Sequence, residues 1–184
     1  INALERADVC FLMIDATEGF STQDMNILGL MERNNKGCVI LLNKWDLVAK
    51  DTSTEKKFKE KVLERIKPFT DVDILTISVK EKQRVLKALE AGKKVYENRI
   101  QKIKTRKLND ELLPVIQNNP PPATKGKYIK IKYITQLPTH APSFAFYCNL
   151  PQYVKEPYKR FLENQIRQRW DFTGVPIRIF IRKK

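Results

Sequence analysis

Asn43, Lys44, Trp45 and Asp46 form an N-K-x-D tetrad with the chemistry to read a guanine base. Guanine offers an N1–H and an amino group side by side, and the Asp46 carboxylate can accept from both. Adenine has no such pair of donors. A site built this way leaves polar groups unpaired when the wrong base enters, and selectivity reaches ~10⁴-fold in favourable cases. Asn43 is placed to bond the base edge and to brace neighbouring loops, while the Lys44 stem lies over the ring. The three-residue spacing lets Asn43 and Asp46 converge from one tight loop. The competing reading is a strand-end turn with an Asx bond, since N-x-x-D by itself is common.

Position favours the base-reading loop. The tetrad follows Val39, Ile40, Leu41 and Leu42, an apolar strand, and open α/β sheets bind ligands at the carboxyl ends of their strands. One strand later comes "TISVK", residues 76–80. There Ser78 braces the loop, the Val79 N–H bonds the guanine carbonyl, and Lys80 covers the other face of the base. Phosphate chemistry needs a G-x-x-x-x-G-K-[ST] loop whose N–H groups cradle the phosphates. This sequence contains none. Asp15 ends "FLMID" and, with Thr17, Glu18 and Gly19, reads as a strand-to-helix loop rather than a magnesium-binding strand end.

The elements that must hold these loops alternate. Residues 9–15 read as a buried strand, followed by a helix capped by Thr22 with Met25, Ile27, Leu28, Leu30 and Met31 on its apolar face. A strand over 38–42 precedes a charged helix from about Ser53 to Lys67, closed by Pro68. A third strand over 73–78 leads to a helix from Lys82 to about Asn98 carrying Val85, Leu86, Leu89 and Val95. Three alternations of strand and helix predict a parallel sheet with crossover helices.

The charge distribution divides the chain. Residues 1–97 carry 17 Lys and Arg against 16 Asp and Glu, whereas 98–184 carry 18 against 5. A neutral half joined to a strongly basic one predicts two domains, 1–97 and 98–184, the second facing a polyanion. In the basic half a helix over 105–118 precedes the stiff loop "NNPPPATKG". "KYIKIKYI", 127–134, alternates strictly and predicts a strand. "SFAFYCN" predicts a second, Pro157 opens a helix, and Gly174 turns the chain into a last strand, "PIRIFIRK". This is a small α+β domain. Alternation puts Ile129, Ile131 and Tyr133 with Phe144, Phe146 and Cys148 toward the helices, together with Ile177, Ile179 and Ile181. Tyr128, Lys130, Lys132, Tyr147, Arg178, Phe180 and Arg182 fall on the opposite face, and the helix adds Lys159, Arg160 and Arg167. Cations interleaved with aromatics suit RNA, because charge attracts the backbone and rings stack on bases. The alternative is a solvated face or one that docks on another domain. No G-x-x-G clamp occurs, so structured RNA is the expected target.

The remaining features exclude other chemistry. Cys10, Cys38 and Cys148 form no C-x-x-C pair and read as small apolar residues in a reducing cytosol, not as a disulfide framework or a zinc site. His140 stands alone in "PTHAP" and reads as a surface residue. Apolar runs are far shorter than the ~18 residues a membrane span needs. The chain opens "INALERADV" without a start methionine, so no signal peptide is expected and the chain reads as a piece of something larger.

With both halves read, the chain resembles the Der (EngA) family of bacterial GTPases. The matching stretches include "ERADVCFLMIDATEGFSTQD", "LLNKWDLV", "ISVKEKQRV" and "FAFYCNLPQYVKEPYKRFLENQIRQRWDFTGVPIRIF". The resemblance implies tandem GTPase domains followed by a KH-like domain, in a cytoplasmic protein that assists assembly of the large ribosomal subunit. Residues 1–97 would then be the back half of the second GTPase domain, an incomplete P-loop α/β sheet, and 98–184 the KH-like domain. By the same resemblance Asn43, Lys44 and Asp46 are the guanine-specificity motif, and Ser78 with Val79 a weaker second one, where Val79 replaces the family's usual alanine. GTP or GDP with Mg²⁺ is the implied cofactor, with phosphate and metal ligands outside this sequence. Implied partners are ribosomal RNA and the missing GTPase domains in cis. The expected RNA contacts are Lys130, Lys132, Arg178, Arg182, Lys159 and Arg160. The alternative function is a non-catalytic RNA-binding or domain-docking module.

Overall fold

The computed structural model describes residues 2–49, 53–124 and 126–183, so Lys125 of the proline-rich loop lies outside the described residues. The chain forms two compact units: Ile1–Arg99 with Phe172–Pro176, and Ile100–Asp171 with Ile177–Lys184. Both of the predicted architectures, a parallel α/β sheet and a small α+β fold, are present.

Unit 1 is built on β1 (Val9–Asp15), β2 (Gly37–Asn43) and β3 (Asp73–Thr76), all parallel in the order β1-β2-β3. The central strand β2 is buried on both faces, which is why its sequence is a continuous apolar run rather than an alternation. Ile40 and Leu42 pack with Leu12, Ile14, Leu28 and Val62 on one side. Val39 and Leu41 pack with Ala88, Val95 and Val175 on the other. The crossover helices are α2 (Thr22–Arg33), α3 (Thr54–Arg65) and α4 (Val85–Ile100), preceded by the short α1 (Asn2–Arg6).

Four local expectations are corrected. Ser21, not Thr22, caps α2: its hydroxyl accepts the Asp24 N–H and the Asp24 carboxylate accepts the Ser21 N–H, a reciprocal box. Leu28 and Met31 carry that helix's packing, while Met25 and Leu30 are exposed. Helix α4 begins at Val85 because Lys82 and Arg84 are left-handed, with φ of 52° and 57°. Its inner face is Ala88, Gly92 and Val95; Leu86 and Leu89 point outward, 74% and 58% exposed. Small residues win that face because the Phe11 ring occupies it: a Cβ on Gly92 would lie 2.5 Å from the ring.

The segment 172–176 completes unit 1. Gly174 donates its N–H to the Asp71 carbonyl at 2.8 Å and accepts the Cys38 N–H at 2.7 Å. Asn98 Nδ2 donates to the Thr173 carbonyl at 3.1 Å.

Unit 2 runs α5 (Thr105–Asn118), β4 (Ile131–Gln136), β5 (Ser143–Cys148), α6 (Glu156–Arg167) and β6 (Arg178–Lys183). Strand β5 is central, antiparallel to β4 and parallel to β6. Leu108, Leu112 and Ile116 of α5 and Tyr158, Leu162 and Ile166 of α6 are buried, as are Phe144 and Phe146. Strand β4 is shorter than its alternation predicts, and its register shifts between Ile131 and Tyr133. Tyr133 therefore leaves the helix-facing side, 41% exposed, and Ile134 replaces it there, fully buried. A bulge does this because one extra residue turns the following side chains over. Asn109 fixes the shift by accepting the Ile134 N–H at 2.9 Å and donating to the Ile134 carbonyl at 2.7 Å. It thereby satisfies backbone groups that an edge strand leaves open.

Candidate guanine-recognition site and basic surface

The tetrad stands at the carboxyl end of β2, between β1 and β3. Strand β2 ends at Asn43, whose register partner on β1 is Asp15. Lys44 is left-handed (φ 60°), which breaks the strand and starts the 3₁₀ turn Trp45–Leu47. Trp45 is buried and meets Phe58 of α3 edge-on at 5.8 Å, and its N–H bonds the Ile77 carbonyl at 3.1 Å. The indole thus anchors the turn, leaving Asp46 half-buried and Lys44 exposed at the rim. The sequence reading gives Trp45 no part, although the one apolar residue within the tetrad is its signal.

The second loop is tied to the first. The Val79 N–H donates to Asn43 Oδ1 at 3.1 Å. Ser78 is buried; its hydroxyl accepts the Glu81 N–H at 3.1 Å, and its backbone exchanges two hydrogen bonds with Gln83. Lys80 is exposed beside them. Asn43, Lys44, Asp46, Ser78 and Val79 therefore share one end of one sheet.

Lys44 and Asp15 form an ion pair of 2.5 Å. The lysine pulls the Asp15 carboxyl down to about 2, helped by two hydrogen bonds from Thr17, and Asp15 in turn raises Lys44. A carboxyl lowered on folding favours the folded chain above its ordinary value near ~4, and that contribution disappears as pH falls through the lowered value. Lys44→Ala is expected to return Asp15 toward the ordinary carboxylate range, read by NMR titration of its carboxyl carbon. No movement would show that Thr17 alone holds it down.

The cations of unit 2 expected to contact RNA lie in three places. Lys130 and Lys132 flank a groove of about 880 Å³ whose walls include Leu113, Ile116, Pro121 and Tyr128. Asn149 holds this stretch, accepting the Lys130 N–H at 2.9 Å and donating to the Tyr128 carbonyl at 3.0 Å. Arg182 lies on β6 two strands from Tyr133 of β4, roughly 10 Å away at ordinary strand spacing, while Arg178 pairs with Ser143 at the other end of β5. The Arg182 guanidinium is 5.8 Å from the Phe180 ring centroid. Tyr133, Tyr147 and Arg182 are successive register partners, and the two tyrosine rings lie 5.7 Å apart. On α6, Arg160 is exposed, Lys159 pairs with Glu156 at 2.6 Å, and Arg167 pairs with Glu163 at 2.9 Å. Among the described residues no group of three or more His, Cys, Asp or Glu side chains could hold a metal ion. No helix among them is long and apolar enough to cross a membrane.

Comparison with known proteins agrees with this architecture. Residues 1–121 match the elongation factor Tu GTP-binding domain, and 102–182 match the KH-domain-like family of EngA bacterial GTPase enzymes, C-terminal. The residues claimed by both, 102–121, lie in unit 2. The chain is 60% identical to the GTPase Der of Christiangramia forsetii and to that of Flavobacterium johnsoniae, over all of this chain and 42% of each relative. It is 58% identical to the GTPase Der of Bacteroides fragilis, over 43% of that protein. The chain thus spans less than half the length of the relatives it matches. With the N-K-x-D loop at the end of a parallel strand and the KH-like match C-terminal to it in sequence, the chain belongs to the Der (EngA) family of GTPases.

Proposed function

We propose that this chain is the guanine-reading and RNA-contacting part of a GTPase that acts in assembly of the large ribosomal subunit in the bacterial cytoplasm. In this reading unit 1 is the back half of a GTPase domain and unit 2 its KH-like RNA-binding domain. The observation that carries it is the joining of the two base loops by the Val79–Asn43 hydrogen bond, which brings Asp46, Lys44 and Ser78 to one end of the sheet. Asp46 accepts from guanine, the Lys44 stem covers the ring, and the Val79 N–H reaches the guanine carbonyl as a three-centre donor shared with Asn43. These residues fit the base of GTP or GDP. Polypeptide beyond this sequence supplies the phosphate loop, the switches and the Mg²⁺ ligands. The metal neutralises the developing phosphate charge when bound; Asn43 and Asp46 orient the base so that the phosphates meet it.

The test is displacement of a fluorescent GDP from a polypeptide of the relatives' full length. GDP should displace it at least ~10²-fold more effectively than ADP, as expected when a hydrogen-bonding site rejects a mismatched edge. Equal displacement would refute guanine recognition.

The RNA reading rests on the exposed cations of unit 2. Binding to ribosomal RNA should weaken steeply with salt, because each phosphate contact releases counterions. Replacing Lys130, Lys132 and Arg178 together with alanine should flatten the log–log salt slope by roughly 2–3. An unaltered slope would remove these three residues from the RNA contact and point to docking on another domain or to RNA contacts elsewhere.

A further inference from the structure

We propose that Asp15 is a positioning residue for nucleotide binding: its ion pair with Lys44 holds the lysine stem across the end of the sheet as the shelf on which guanine stacks. This rests on the guanine reading of the tetrad and adds to it a residue outside both base loops.

The geometry is specific. Asp15 and Asn43 are paired positions on adjacent parallel strands, and the Ala16 N–H bonds the Asn43 carbonyl at 2.9 Å. The ends of β1 and β2 are therefore fixed together just where Lys44 leaves the strand. A left-handed backbone at Lys44 turns its side chain away from the β2 direction, and the 2.5 Å contact to Asp15 Oδ2 draws the ammonium back over β1. The four-carbon stem must then lie between those two points. Left alone, such a stem samples many rotamers, and ordering it is part of what a ligand has to overcome. Here the ordering is already done by the fold.

The two carboxylate oxygens have separate duties. Oδ2 takes Lys44, whereas Oδ1 accepts the Thr17 N–H at 2.9 Å and the Thr17 hydroxyl at 2.6 Å. Thr17 thus locks the rotamer that aims Oδ2 at the lysine. The lowered Asp15 carboxyl agrees, since it stays ionised throughout the neutral range. Glu18 adds negative potential near the same ammonium.

The separation of duties supplies the test. Asp15→Asn keeps an oxygen for Thr17 but presents an amide, or no charge, to Lys44. In the full-length protein, fluorescent-GDP binding by Asp15→Asn should weaken about 3- to 10-fold, the range that ordering one long side chain represents. Lys44→Ala should weaken it at least as much, and the double variant should bind no more weakly than Lys44→Ala alone. Independent, multiplying losses would overturn the proposal and leave Asp15 a purely structural part of the 15–19 loop, as would wild-type binding by Asp15→Asn. If Lys44→Ala and Asp46→Asn both leave GDP binding unchanged, the guanine reading itself fails and the proposal goes with it. That pattern differs from failure at Asp15 alone.

Discussion

Asp46→Asn in the full-length protein is expected to weaken GTP binding by about 30- to 10⁴-fold and to turn its preference toward xanthosine triphosphate. The range follows from two amino groups left facing each other without acceptors, the guanine amino group and the new asparagine amide, at ~1–3 kcal/mol for each. The asparagine carbonyl still accepts from N1–H, but its amide meets the guanine amino group donor to donor. Xanthine carries a carbonyl in that place and restores the pair. Competition by the two triphosphates against a fluorescent GDP measures the switch. The turn should survive the exchange, because it is anchored by Trp45 in the core and by the Trp45 N–H on Ile77, neither of which involves the carboxylate. Unchanged preference would remove Asp46 from the base.

The largest expected effect on stability lies far from the tetrad in sequence. Gly174 has φ of +77°, and a Cβ there would stand 2.6 Å from Val95 Cγ2 and 2.7 Å from the Cys38 carbonyl oxygen. The valine can shift a little. The carbonyl belongs to the central strand and cannot. Left-handed strain and overpacking together put Gly174→Ala at about 2–4 kcal/mol, a large share of the ~5–15 kcal/mol that holds a typical domain. Gly19 is the control: its φ is +85°, yet nothing lies within 4 Å of a Cβ there. Gly19→Ala should show the backbone part alone, about 1 kcal/mol. Thermal unfolding separates the two variants. Amide exchange at Cys38 locates the damage, because that N–H bonds Gly174. Equal losses for both would mean that the Gly174 contacts relax freely.

What could be read in advance depended on how local its cause is. The apolar run 39–42 and its polar ending needed no partner to be recognised, and the strand–helix alternation implied the parallel sheet. The face of α4 did not follow from hydrophobicity, since Leu86 and Leu89 look like core residues; the position of the Phe11 ring on β1 decides that small residues face inward. Strict alternation in "KYIKIKYI" suggested one uninterrupted strand, but the register is set by β5 and by Asn109 of α5, neither visible from the strand itself. Asp15 looks like a loop residue in the sequence because its partner lies 29 positions away. Knowing that β1 and β2 pair in parallel would have placed it beside Asn43.

The discontinuity of unit 1 also bears on how the chain folds as it is made. Its sheet strands are all synthesised by Arg99, but Gly174, which bonds the Cys38 amide, and the buried Phe172 and Val175 arrive only with Phe172–Pro176. The 77 residues from Ile100 to Pro176 must be translated first. At ~5–20 residues per second, that leaves the nascent sheet unfinished for roughly 4–15 s. Through that interval the Cys38 N–H, at the start of the central strand, waits without the Gly174 carbonyl that receives it in the finished fold.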